Sequence, residues 1–274
     1  MYSGILVQAS TTGMLALGMM FVLICGNIDL AVGAQSALYG VLCVFLTKSL
    51  YLPPPAAIML TLLTAATVGA VIGYVIAAKK LNAMIATIAV GVAVSGLASI
   101  LANGTPVFDI PALLEQIAKL KVFNIPFPAV LFLMMAALTA WILHGTYWGR
   151  FFFARGWDVE TAAKAGVPVH KTCSLAFALS GMYTAVASIL YVGRVGVASL
   201  SAGDSWVLDV LTIAALGGVG FSGGRGRVLP VVCSAVFLSL LTAAFLVLRI
   251  APYYQNVIKG AILFFAISTK ITKS

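Results

Sequence analysis

Apolar runs of about 20 residues, each closed by charge, proline or glycine, follow one another along almost the whole chain. That length is what an α-helix needs to cross the hydrocarbon of a bilayer, where every backbone N–H and C=O must be satisfied inside the segment. The runs cover residues 5–25, 30–47, 55–78, 83–102, 127–143, 173–192, 228–248 and 252–269. A ninth, 207–219, is short and carries Asp209, so it reads as a full span or as a re-entrant segment. The period-two alternation of an outer-membrane barrel is not seen. The expectation is an all-α, polytopic integral membrane protein with about eight to nine transmembrane or re-entrant helices, forming one domain over residues 1–274.

Composition supports lipid as the solvent. The chain is 62% hydrophobic and 8% charged, whereas soluble domains carry roughly 25% charged residues. Its formal charge of +9 comes from basic residues scattered singly or in short clusters between apolar runs. That spread suits membrane orientation and not a nucleic-acid partner. Cys25, Cys43, Cys173 and Cys233 share no C-x-x-C spacing and lie in or beside apolar runs, as small core residues do. The amino terminus has neither a basic region nor a small-residue cleavage site, so the first run is read as a retained span.

Basic residues beside the helix ends set the orientation. With the loop after Leu143 inside, alternation puts Lys79, Lys80, Arg150, Arg155, Lys164, Lys171, Arg225, Arg227, Lys270 and Lys273 in the cytoplasm. Lys48, Lys119, Lys121, Arg194, Arg249 and Lys259 fall outside or in the membrane, a bias of 10 to 6. Nine spans then place Met1 outside, which suggests that an amino-terminal span is missing. Residues 103–126 form the longest external connection, and Pro106, Pro111 and Pro126 make it an irregular, partly helical loop.

The longest cytoplasmic loop covers residues 146–172. Asp158 is a good N-cap, Glu160 sits in the first turn where the helix dipole favours an acid, and alanines carry the helix until Gly166 and Pro168 end it. Two readings stand: a solvated connecting helix, or a small-faced helix that enters a groove on a soluble partner.

Asn27 and Asp29 interrupt apolar sequence, with Gln35 and Ser36 just beyond. An ionisable group at a helix break faces a cavity, pairs with a neighbour or lies at an interface. Asp29 therefore either caps the next helix or belongs to a translocation pathway. Asp209 is the one acid inside the 207–219 run and is a pathway candidate with Asn27, Asp29 and Gln35. Residues 218–223 spell G-x-G-x-x-G, but between apolar helices and without a downstream acid for a ribose they do not make a dinucleotide site. Gly217, Gly218, Gly223 and Gly224 instead suit a structural turn with close backbone contact, anchored by Arg225 and Arg227. Gly69 and Gly73 form a G-x-x-x-G that permits close helix packing.

With no GxxxxGK[ST], and only His144 and His170 for a catalytic or metal set, the chain reads as a non-enzyme with no bound cofactor or metal.

In order and spacing these features resemble the permease subunits of the ribose, xylose, arabinose and galactoside class of bacterial ABC importers. Gly26-Asn-Ile-Asp-Leu-Ala-Val-Gly33 is similar to that family's Gly-Gly-Ile-Asp-Leu-Ser-Val-Gly. Met84-Ile-Ala-Thr87 with Gly96-Leu-Ala98 resembles its Phe-Ile-Ala-Thr and Arg-Gly-Leu-Ala pair. Gly149, Arg150, Gly156, Asp158, Glu160, Ala162 and Gly166 follow its cytoplasmic loop, and Leu208-Asp209 with the glycines from Gly217 to Gly226 follows its Leu-Asp…Gly-Gly stretch. Asn27 stands for a glycine, Ala31 for a serine, Trp157-Asp158 for Gly-Asn and Val207 for a glutamate, and the family's first span lies upstream of Ile5. The resemblance implies a multi-pass protein of the bacterial inner membrane that works with a second permease copy or paralogue. It further implies two cytoplasmic ABC ATPase subunits, which hold the ATP and Mg, and an extracytoplasmic solute-binding protein. Asp158, Glu160, Ala162 and Gly166 would form the coupling loop on the ATPase, and the solute would be a sugar. Permeation of nucleosides or branched-chain amino acids, an ion-coupled secondary transporter and a purely structural membrane subunit are the alternatives.

Overall fold

The computed structural model describes residues 2–271; Met1 and Lys273, which entered the orientation count, lie outside them. Helices α1 (Tyr2–Ile24), α2 (Val32–Lys48), α3 (Pro54–Lys79) and α4 (Ala83–Leu101) come first. They lead through α5 (Ala112–Lys119) and the hairpin β1 (Lys121–Val122) and β2 (Ile125–Pro126) to α6 (Phe127–Gly145). Two short helices, α7 (Tyr147–Trp157) and α8 (Val159–Lys164), precede the long α9 (Val169–Val195). The chain continues through α10 (Trp206–Leu216) and α11 (Val228–Val247) to α12 (Pro252–Ile271).

Among the described residues six helices, α1, α3, α4, α6, α9 and α11, are long and apolar enough to cross a membrane. The other expected spans form helices that do not reach that standard. α2 has 17 residues and α10 has 11, and at 1.5 Å per residue α10 covers only about 16 Å, half of a hydrocarbon core. The segment entering α10 folds back along the protein, with Gly203 pressed on the backbone of Gly33 near the start of α2.

Proline and cap chemistry set the ends. Pro53 precedes α3, whose first residue is also proline, and left-handed Lys80 (φ 51°) closes it. The Asn82 side chain accepts from the N–H groups of Met84 (3.0 Å) and Ile85 (3.4 Å) to start α4. In the external loop Pro111 begins α5, and the tip of the hairpin holds Phe123 and Asn124 at positive φ.

α1 is the central helix. In its most apolar stretch 78% of residues are buried, against 17% in α4, so α1 is core whereas α4 turns most of its side chains outward. Phe21 meets Phe152 and Tyr183 edge-to-face, with ring centroids 5.7 and 5.8 Å apart. α3 and α9 pack backbone to backbone, because a Cβ on Gly69 would strike the Phe177 carbonyl and one on Gly73 the Cys173 carbonyl. Ser174 then donates to Ala70 O at 2.8 Å across the contact. Small residues at a helix crossing are what allows this approach in lipid, where no hydrophobic force holds helices together.

Candidate functional site

Three stretches far apart in sequence meet at one end of the bundle: the break after α1, the α7–α8 loop and the glycine turn between α10 and α11. α1 ends in a Schellman motif, in which Gly26 (φ 77°) donates to Leu23 O at 2.9 Å and Asn27 donates to Val22 O at 3.1 Å. Those bonds leave the carbonyls of Ile24 and Cys25 without helical partners. Gly224 N–H donates to Ile24 O at 2.9 Å, and the Arg155 guanidinium donates to Cys25 O.

Arg155 is only 6% exposed and also donates through Nε to Val169 O, 3.2 Å away, at the first turn of α9. One cation thus joins α7 to the end of α1 and the start of α9, placed where the α1 dipole is negative. Glycine is required beside it. A Cβ on Gly156 would overlap Ile24 O and come within 2.6 Å of Gly224 N. Gly223 (φ 90°) brings its backbone to within van der Waals distance of Gly26 and Gly156. The turn is closed by Gly220 N–H to Arg225 O at 2.9 Å and Gly223 N–H to Gly220 O at 3.1 Å, while the Arg225 guanidinium lies 5.5 Å from the Trp157 ring centroid. Gly217 packs on Val231 of α11 and Gly218 has a positive φ of 78°. Gly217, Gly220, Gly223 and Gly224 make this a turn with close contacts.

The loop contains two helices where the sequence pointed to one. Asp158 accepts from Thr161 N–H at 2.5 Å and caps α8, and these Thr161 bonds hold its carboxyl below the usual range. α8 ends at Gly166 (φ 84°), which donates to Ala163 O at 3.0 Å. Ala162 is 4% exposed and faces the protein's own interior; Glu160, Ala163 and Lys164 form the outer face.

Asp29 is buried and its carboxylate accepts from Ala31 N–H (2.9 Å) and Gln35 Nε2 (3.2 Å). It therefore orders the chain entering α2, while Leu30 N–H donates to Thr87 Oγ1 at 3.0 Å. Asn27 Nδ2 lies 3.4 Å from Cys173 Sγ. Among the described residues, buried Gln35 Oε1, Tyr39 OH and Ser180 Oγ find no hydrogen-bond partner. Asn27, Asp29 and Gln35 thus share the α1–α2 break, whereas Asp209 sits elsewhere. It lies on α10, paired at 2.8 Å with Lys259 of α12, near the end of the bundle where α9 and α11 finish and α12 begins. Sequence reasoning used Arg155 and Lys259 only as orientation charges. A basic residue next to Gly156, in a stretch otherwise aromatic and small, was the available hint for Arg155.

No solved structure matches the chain. A family model described as Branched-chain amino acid transport system / permease component matches residues 1–267. The chain is 31% identical to the Ribose import permease protein RbsC of Haemophilus influenzae, over 96% of this chain and 82% of that protein. It is 34% identical to the L-arabinose transport system permease protein AraH of Escherichia coli (96% and 80% covered). It is 27% identical to the Xylose transport system permease protein XylH of Haemophilus influenzae (97% and 87%). With the family matched over nearly its full length, and six membrane-crossing helices among the described residues, the chain belongs to this family of transport-system permease components, multi-pass proteins of the bacterial inner membrane.

Proposed function

We propose that the chain is the membrane-spanning permease subunit of an ATP-binding-cassette importer and forms the translocation pathway for a monosaccharide-like sugar. The carrying observation is the similarity to permeases named for ribose, xylose and arabinose over at least 96% of the chain. In this reading α2, α12 and the unit of residues 196–216 complete the crossings, making nine passes. The chain binds no cofactor; ATP and Mg belong to two cytoplasmic ATPase subunits, and an extracytoplasmic protein delivers the solute to a pair of permeases.

The loop geometry supports the coupling role. α8 presents Glu160, Ala163 and Lys164 outward, and the helix before it is tied through Arg155 to α1 and α9 and through Gly156 to the turn that opens α11. A push on α8 when the ATPases close would reach the ends of three core helices through rigid contacts.

The family description favours one competing solute, a branched-chain amino acid. An ion-coupled secondary transporter is less well supported, since the buried acids Asp29 and Asp209 are both engaged, the second with Lys259. Co-purification with the neighbouring ATPase and binding protein, followed by reconstitution, tests the proposal. ATP-dependent uptake of D-ribose, D-xylose, L-arabinose or D-galactose is expected. Failure to associate with any ATPase would sink the importer reading, and uptake of L-leucine without sugar would replace the solute.

A further inference from the structure

At the end of the bundle away from the glycine junction, α1, α9, α10, α11 and α12 enclose a cavity of about 520 Å³, within the range of small-molecule sites. In a bundle that is otherwise apolar its wall is polar. Lys259 Nζ bridges both oxygens of the Asp209 carboxylate, at 2.8 and 3.1 Å, and the two side chains are 12% and 11% exposed. Trp206, one helical turn before Asp209, is held edge-to-face by Tyr191, with centroids 4.7 Å apart.

The wall offers both acceptors and donors. A carboxylate has about four lone-pair sites and an ammonium three protons, so the pair keeps acceptor capacity and one donor while its charges cancel. Thr12 and Thr242 spend their protons on Gln8 O (3.1 Å) and Leu238 O (2.9 Å), leaving hydroxyl oxygens as acceptors. Gln255 donates through Nε2 to Ile250 O at 2.7 Å, which leaves its Oε1 to accept. Asn256, exposed on α12, adds both kinds of group, and Arg194 stands exposed at the same cavity.

We propose that this cavity is a binding station for one neutral polyhydroxylated solute, a monosaccharide, on its way through the permease. Sugar hydroxyls, each both donor and acceptor, match a wall that offers both, an apolar sugar face matches the indole of Trp206, and a neutral ligand leaves the ion pair intact. The inference rests on the sugar-permease reading and adds the place where the sugar sits.

The test uses the assembled importer in proteoliposomes, with Cys233→Ser to remove the exposed thiol and Asn256→Cys as reporter. Alkylation by a membrane-impermeant, positively charged methanethiosulfonate is timed with D-ribose, D-xylose, L-arabinose, D-galactose or L-leucine at tens of millimolar. Slowing of at least threefold by the sugar that the unmodified importer takes up, with no slowing by L-leucine, is the expected result. An unchanged rate with that same sugar would overturn the cavity assignment and leave the permease reading standing. If the unmodified importer takes up none of the sugars, the sugar-permease reading fails and this assignment falls with it. As a second measurement, Thr12→Val and Gln255→Leu should each raise the sugar concentration for half-maximal uptake several-fold. Unaltered half-saturation in both would count against the site.

Discussion

The two ends of this bundle are built by opposite rules. At the glycine junction main chains touch at Gly26, Gly156 and Gly223, every carbonyl ending α1 is bonded, and a buried arginine closes the contact. At the far end, five helices line a cavity with polar side chains, and the Asp209–Lys259 ion pair joins α10 to α12. Close backbone packing transmits displacement because it does not deform continuously. A cavity lined by polar side chains gives a hydroxylated solute hydrogen-bond partners. In the proposed function the packed end transmits displacement and the cavity end accommodates the solute.

Breaking the packed end should have the largest consequence. Gly156→Leu drives a side chain into Ile24 O and Gly224 N, and loss of most folded protein is expected by size-exclusion yield in detergent. Gly166→Arg comes next. Its Cβ would meet open space, and the strain of a side chain at φ 84° is confined to the exposed end of α8, so membrane insertion and monodispersity should survive while coupled uptake falls at least tenfold. Normal uptake in that variant would show that α8 is only a connector.

Arg155→Met removes the donor to Cys25 O and Val169 O and should cost about 1–3 kcal/mol, read as a lowered midpoint of thermal unfolding. Arg155→Lys should recover part of it, since an ammonium reaches fewer of the two acceptors at once. At the open end, Asp209→Asn leaves Lys259 without its anion and should cost about 1–2 kcal/mol. The double variant Asp209→Asn with Lys259→Met should be more stable than the single one in the same unfolding measurement. Equal losses in all these variants would erase the contrast between the ends.

The smallest effect is at Asp158, whose carboxyl is held below its ordinary value by Thr161. A depressed folded-state value means that the cap contributes above the unfolded value of about 4 and is lost as pH falls through the lower folded one. Hydrogen exchange at the start of α8 should therefore quicken only on acidification below about pH 4, and Asp158→Asn should remove that pH dependence.

Local features carry their own evidence. The prolines before α3 and at α5, Asn82 at α4 and the Asp158 to Gly166 cap pair each set a boundary through groups within a few residues of it. The second loop helix, α7, was less legible because its stretch is aromatic and small with no sharp apolar period, and its cap, Thr146, is shared with the end of α6. Of the site residues, Asp29 and Gln35 could be grouped by nearness, but their mutual bond needed the turn between them. Arg155 looked like one more cytoplasmic charge because its partners are backbone carbonyls, which have no side-chain signature.

The sequence alone determined that the chain lives in lipid, that its helices run between predictable caps, and that one loop has the length and caps for an exposed helix. Hydropathy and capping act over a few residues, so they are written locally. Only the tertiary structure decided that Gly26, Gly156 and Gly223 share one contact, that Arg155 fills the end of α1, and that Asp209 meets Lys259 across 50 residues. Those pairings follow from the order in which helices pack, and in lipid that order is set by which small and polar surfaces fit each other. No single segment contains that information.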